Sequence, residues 1–541
     1  MKKCLFILLL ALLFVMVSCD DKVNDGIIDD GETKVTEVTL SQVGQTSKLD
    51  VEISASSNIK DYTMQVFSTY EEEEIEIASY DGKLENGHVK EEVETNGYGK
   101  LKVKISFPGQ TDVIEREVEV VADEYTFVLI PATLPVTAFT LEYLSGEYPS
   151  APTFVGFERC LSYNWDNLPE NMYRNPKISK EDNDTTNLKF HTHQVPRMMD
   201  LVKELHELSP EAKINFVTSD IYPELIVKVL FWNGISDANI TLYSDGTATY
   251  SHVKSQFGDD DAKASWRYVK FTRNWEEIKK SALGGGKDCL EAYEEEWGKY
   301  ATLRMYTPII AQEDNVTWKV GRKSLLESKD TNIQDLIQGA AEQFNLGNML
   351  KALDEEKSKA LKALYNFDTN VFEESRKNGK KIMVFLGTIN DYTNGHLEDY
   401  LSFIKEYYGD EYDLYYKGHP AEPSGLPQFE DKKNIFETIG CKEVEASIPA
   451  EIILFFCPDI DLCGYPSTTF QSAEAEHVFT IMGSGETTID SLKDTCTKNG
   501  YIDMVDSFIA INEDGTYTLE VVSEGDYTWD PDSKTATKVT E

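Results

Sequence analysis

Three short stretches carry side chains able to do chemistry together. Residues 417–420 read Lys-Gly-His-Pro, at the exit of an apolar, aromatic run. Lys417 can offset negative charge, and His419 can hydrogen-bond a phosphate oxygen or protonate a leaving group. Two such groups two residues apart suit an anion, although a surface loop with an incidental histidine reads the same way. In LYSDGT, residues 242–247, Asp245 follows a predicted strand and sits beside a glycine that can turn the backbone sharply. A carboxylate there can enter a cleft as a general base, while Asp-Gly is also a common turn pair. In GYPSTTF, Ser467 and Thr468 stand at a strand-to-helix junction. Helix N-termini offer free N–H groups to anions and hydroxyls add to them, but the same residues also serve as simple caps.

The elements that must position these groups fall into two grammars. From 35 to 123, short alternating runs such as KLDVEISAS, YTMQVFSTY and KLKVKISF are separated by Gly and Asn turns. This spacing predicts an immunoglobulin-like β-sandwich. From 124 the pattern changes to apolar strands followed by amphipathic helices: TFVLIPATLP, PRMMDLVKELHEL, AKINFVTS, ELIVKVLFWNG and ITLYSDG. Such alternation predicts a mostly parallel sheet covered by helices, closing with a helical stretch from about 274 to 375. A second unit over 376–510 repeats it with KKIMVFLGT, LEDYLSFIKEYYG, DLYYKGHP, SIPAEIILFF and IDLCGYP. Two Rossmann-like halves with chemistry at their strand C-termini would face one another across a cleft. The polar tail, 511–541, has no assigned place.

Taken in order, these pieces resemble the bacterial sialyltransferases of glycosyltransferase family 80, the group that includes the Pasteurella and Photobacterium enzymes. VLIPATLP is similar to the family's opening strand and turn, TLYSDGTATY to its acidic motif, KGHP to its histidine motif and GYPSTTF to its serine-pair motif. The resemblance spans about residues 125–510. It implies an α/β GT-B fold of two Rossmann-like domains and an inverting, metal-independent transfer of sialic acid from CMP-sialic acid to a terminal galactoside. By motif match, Asp245 is the general base and His419 holds the donor phosphate and assists departure of CMP. Lys417 and Pro420 belong to the same motif, Glu451 matches the ribose-binding acid, Ser467 and Thr468 match the phosphate-binding pair, and Gly387 and Thr388 match a donor-side loop.

The chain also departs from the family. Ser244 replaces the first Asp of the acidic motif, Asp391 and Tyr392 stand where an acceptor-contacting tryptophan is expected, and Asp220, Ile221 and Tyr222 replace a cleft histidine. Acceptor identity and linkage therefore stay open. So do a different transferred sugar, such as another nonulosonic acid or Kdo, and a surface glycan-binding lipoprotein without turnover.

The 541-residue chain has a formal charge of −43, a field that repels phosphate backbones and argues against nucleic-acid partners. Its first residues, two lysines, thirteen apolar residues from Leu5 to Val17 and then Ser18-Cys19, suit a lipoprotein signal over 1–18. Cys19 would carry the lipid, an acidic tether would fill 19–34, and the protein would be held at a membrane in the cell envelope. The lipobox and the sandwich are similar to features of some marine family members. The other cysteines after Cys19 form no CxxC pair, which predicts buried free thiols. GGGK at 284–287 lacks the flanking residues of a phosphate loop. His191 and His193 lack a third ligand at a telling spacing, and Asp259–Asp261 reads as a solvated loop. No metal or other cofactor is expected.

Overall fold

The computed structural model describes residues 35–158, 163–179, 189–258, 260–290, 303–388, 396–419, 427–467, 469–470, 479–483, 487–499, 501–511, 516–522, 525–530 and 535–538. The signal, the tether and Cys19 lie outside these residues, as do Pro420, Thr468, Asp391 and Tyr392.

Alternation builds the first domain. Strands β1 (Val35–Gln42), β2 (Lys48–Ala55) and β5 (His88–Glu94) form one antiparallel sheet in the order β1-β2-β5. The other, β4-β3-β6-β7, uses β3 (Asp61–Tyr70), β4 (Glu73–Lys83), β6 (Gly99–Ser106) and β7 (Ile114–Val120). Every second side chain turns inward, so Leu49, Val51 and Ile53 face Leu101, Val103 and Ile105 in a sandwich core from which water is excluded.

Four residues after β7 ends, the pattern becomes continuous. In β8 (Glu124–Ile130) every residue from Tyr125 onward is buried, because helices cover both faces of a parallel sheet. The sheet adds β9 (Thr153–Phe157), β10 (Met172–Arg174), β11 (Lys213–Ser219), β12 (Asn239–Tyr243), β13 (Val316–Val320) and β14 (Ala341–Gln343) in the order β10-β9-β8-β11-β12-β13-β14, all parallel. The strand order reverses between β8 and β11. Strands β13 and β14 correct the expectation of an unbroken helical stretch from 274: VTWKV alternates over only five residues, and its inward Trp318 is fully buried.

The second sheet repeats the winding. Strands β15 (Lys381–Leu386), β16 (Tyr412–Lys417), β17 (Lys442–Val444), β18 (Ile460–Gly464), β19 (Phe479–Met482) and β20 (Val505–Ile511) run parallel in the order β17-β16-β15-β18-β19-β20. The tail then acquires a place: β21 (Tyr517–Val521), β22 (Gly525–Asp530) and β23 (Thr535–Lys538) add antiparallel to β20 and extend the sheet. Two doubly wound sheets are the GT-B architecture that the resemblance implies. The described cysteines, Cys289, Cys441, Cys457, Cys463 and Cys496, are free thiols. Burial pushes Cys441 and Cys496 up to about 12, which keeps them protonated and inert.

Candidate functional site

The helices that open at the C-terminal ends of the strands set the site. Helix α1 (Thr133–Ser145) follows β8, α2 (Val195–Leu208) precedes β11, and α3 (Thr247–Phe257) follows β12. In the second domain α4 (Ala450–Phe456) precedes β18. A cavity of about 310 Å³ opens where the two switch points meet. Ala132, Thr133, Leu134, Asp245 and Ala248 line it from the first domain. From the second come Gly387, Thr388, Lys417, His419, Glu451 and Ser467, with Tyr465 and Thr469. Every predicted site residue that the structure describes therefore reaches one cavity, although they are spread over more than two hundred positions of the chain.

Asp245 is half-buried in a tight turn between β12 and α3. Gly246 makes the turn at φ 79° and ψ −126°, a conformation that a side chain would strain. Ser244 is fully buried, and its Oγ accepts the Gly246 N–H at 3.1 Å, so the serine in the acidic motif braces the turn. Behind it lies Asp220, a residue whose part sequence reasoning missed. Its Oδ1 accepts the Asp245 N–H at 3.2 Å, Thr249 Oγ1 donates to it at 2.9 Å, and Trp318 Nε1 donates to Oδ2 at 3.0 Å. Burial pushes the Asp220 carboxyl up to about 7, against those three hydrogen bonds, which favour its charge.

Across the cavity, the Gly387 N–H donates to the Lys417 carbonyl at 3.0 Å, joining the ends of β15 and β16. Lys417 is 4% exposed, and its Nζ donates to the carbonyls of Gly418 at 3.0 Å and Ala446 at 2.8 Å. It thus holds the loop carrying His419 while placing a positive charge under the cavity. His419 is half-buried in the lining. Glu451, in the first turn of α4, accepts Thr469 Oγ1 at 3.0 Å, and Ser467 Oγ accepts the Thr469 N–H at 3.3 Å. Thr469 was not singled out from sequence; its neighbour in the same Ser-Thr-Thr run was. Neither α1 nor α4 has a side-chain cap, and both helices begin in the cavity lining, at Thr133 and Leu134 and at Ala450 and Glu451. Among the described residues no three His, Cys, Asp or Glu side chains gather into a group able to hold a metal ion.

A carboxylate on one wall faces a histidine, a buried lysine and hydroxyls on the other. Such a site can take a proton from one substrate and hold an anionic leaving group on another. Neither a protein-family model nor a curated protein matches the sequence. Solved structures do. An α/β-galactoside α-2,3-sialyltransferase from the luminous marine bacterium Photobacterium phosphoreum superposes with a TM-score of 0.51 at 14% identity, over 71% of this chain and 98% of that one. A Photobacterium sp. 2,6-sialyltransferase, solved with the donor product CMP and the acceptor lactose, gives a TM-score of 0.50 at 15% identity, over 82% and 90%. The chain shares their fold.

Proposed function

We propose that the protein is an inverting sialyltransferase that moves sialic acid from CMP-sialic acid to a terminal galactoside without a metal ion. The single observation that carries the reading is the convergence of Asp245 with His419, Lys417, Glu451 and Ser467 on one interdomain cavity. The fold shared with enzymes of that name, one of them holding CMP and lactose, supports it.

In this reading the Asp245 carboxylate takes the proton of the galactoside hydroxyl, and the freed oxygen attacks the anomeric carbon on the face opposite CMP. The bond from that carbon to the phosphate oxygen breaks, and its electron pair leaves with CMP. His419 and the Ser467 hydroxyl hold the departing phosphate beside the uncapped helix N-termini, with Thr468 next to them by motif. Glu451 keeps acceptor capacity for ribose hydroxyls beyond its bond to Thr469. Gly387 and Thr388 shape the donor side, and Pro420 stiffens the histidine loop. One displacement inverts the centre.

Asp245→Asn keeps the side-chain shape and removes the base. It should lower transfer at least a hundredfold while CMP affinity, read by calorimetry, stays at the parent value. His419→Ala should weaken both CMP binding and turnover, by about 10²–10³ in rate. Transfer at the parent rate by either variant would refute the assignment. Excess chelator should leave transfer unchanged; loss restored by manganese or magnesium would remove the metal-free part. The envelope location is proposed with it: Cys19→Ser should move the protein out of the membrane fraction.

A further inference from the structure

A second, larger cavity, about 870 Å³, lies between the β-sandwich and the first parallel sheet. We infer that it is a carbohydrate-binding site that holds an uncharged oligosaccharide, the body of a glycan away from the transfer cleft.

Its walls come from two domains that are fixed to each other. Tyr98 of the sandwich packs edge-on against Tyr125, Phe154 and Tyr173 of the parallel sheet, with ring centroids 5.7–6.2 Å apart. Lys177, 1% exposed, donates to the Thr69 carbonyl of the sandwich at 2.7 Å and to Glu204 at 2.6 Å. Glu204 in turn accepts the Lys100 N–H at 2.7 Å, and Ser47 meets the Tyr173 hydroxyl at 2.8 Å. The space is therefore already formed, and within the size range of small-molecule sites.

The lining selects the ligand class. Five asparagines border the cavity: Asn96, Asn164, Asn171, Asn175 and Asn366. Each amide carries donors beside an acceptor; part of that capacity is spent on the protein, as where Asn164 Oδ1 accepts the Asp166 N–H at 3.1 Å, and the remainder suits neighbouring sugar hydroxyls without requiring a charge. Asn175 is 1% exposed; its Oδ1 accepts the Lys177 N–H at 2.9 Å, and among the described residues its buried Nδ2 has no hydrogen-bond partner. Half-buried Trp165, held by Phe157 and by the Arg174 guanidinium 5.4 Å from its ring, supplies the apolar surface that the C–H groups of a sugar need. Ionic groups nearly cancel, with Glu94, Asp166 and Glu170 against Lys48 and Arg174. In a chain of charge −43 this excludes a polyanion and favours a neutral glycan.

The choice of a galactose-ended probe rests on the proposed function; the site itself does not. The test uses the full chain with lacto-N-neotetraose, without CMP. Hydrogen–deuterium exchange should show protection over residues 163–178, and Trp165→Ala should weaken binding at least tenfold when measured well below its own melting transition. Should that variant fail to fold, Lys48→Ala, at an exposed lining position, should weaken the same binding several-fold. In transfer assays Trp165→Ala should raise KM for the tetrasaccharide and leave KM for lactose and kcat unaltered. No protection at 163–178, protection confined to the cleft around Asp245 and His419, or binding by Trp165→Ala equal to the parent would overturn the site. So would protection of these residues by unstructured peptides at lower concentration than by the saccharide. If transfer is absent altogether while residues 163–178 are still protected, the enzymatic reading fails and this site stands.

Discussion

Asp220 braces the candidate base together with Thr249, whose Oγ1 accepts the same Asp245 N–H at 3.0 Å. Donors from three elements converge on the Asp220 carboxylate: the Trp318 indole on β13, the Thr249 hydroxyl on α3 and the N–H of Asp245 itself. An amide at 220 offers one acceptor oxygen where the carboxylate offers two, so Asp220→Asn leaves at least one buried donor unmatched. The turn loosens, and the rate of transfer should fall about tenfold or more, equivalent to roughly 1.4 kcal/mol or above in the barrier, with CMP affinity unchanged. Ionisation adds a second readout. Because the folded value lies near 7, above the 3.8 of a free aspartate, the native chain binds this proton more tightly than the unfolded one. Its contribution to stability is full below about pH 4 and is lost as pH rises towards 7. Melting temperatures of the parent should carry that decline and those of Asp220→Asn should lack it; parallel curves would contradict it. The motif residues were legible because each sits in a short distinctive string. Asp220 was visible only as a missing histidine, since its role comes from contacts with residues 245, 249 and 318 that no local spacing encodes.

At the level of elements, the cleft depends on how closely β18 approaches β15 at the second switch point. Gly464 ends β18 at φ 121°, and a Cβ there would fall 2.4 Å from the Leu386 carbonyl oxygen and 2.7 Å from its amide nitrogen. Tyr465, the next residue, donates its N–H to that same Leu386 carbonyl at 3.1 Å. Gly464→Ala must push two backbones apart just below Gly387 and Ser467. It should cost a few kcal/mol, visible as a lower denaturant midpoint, and should weaken CMP binding more than acceptor binding. An unchanged midpoint would mean that the strand ends yield freely. Long apolar strands such as β8 and β15 were readable from sequence because burial on both faces leaves a continuous run. The three residues of β14 and the polar strands β21–β23 were not, since they join a sheet through backbone pairing with a neighbour that their own side chains do not announce.

Across the whole molecule, the sequence alternation marks 35–123 as a module and suggests that chemistry starts afresh at 124. The packing joins them: one apolar core runs from Leu49 through Tyr98 and Tyr125 to Phe216 and beyond without a break. Alternation tells which residues turn inward but not which surface meets them, and so this seam could not be read from the chain. A protein beginning at 124 would expose the faces of Tyr125, Phe154 and Tyr173 that Tyr98 covers, and would take the Thr69 carbonyl from buried Lys177. Each aromatic face returned to water costs on the order of 1 kcal/mol or more at 25 cal/mol per Å². Among the described residues, none of the groups lining the candidate cleft belongs to the sandwich. The shortened chain should therefore melt several degrees lower and yet still release CMP from CMP-sialic acid at the parent rate below its transition. Equal melting temperatures would show the seam to be energetically neutral. A folded shortened chain unable to split the donor would show that the sandwich takes part in catalysis, and the cleft as drawn would be incomplete.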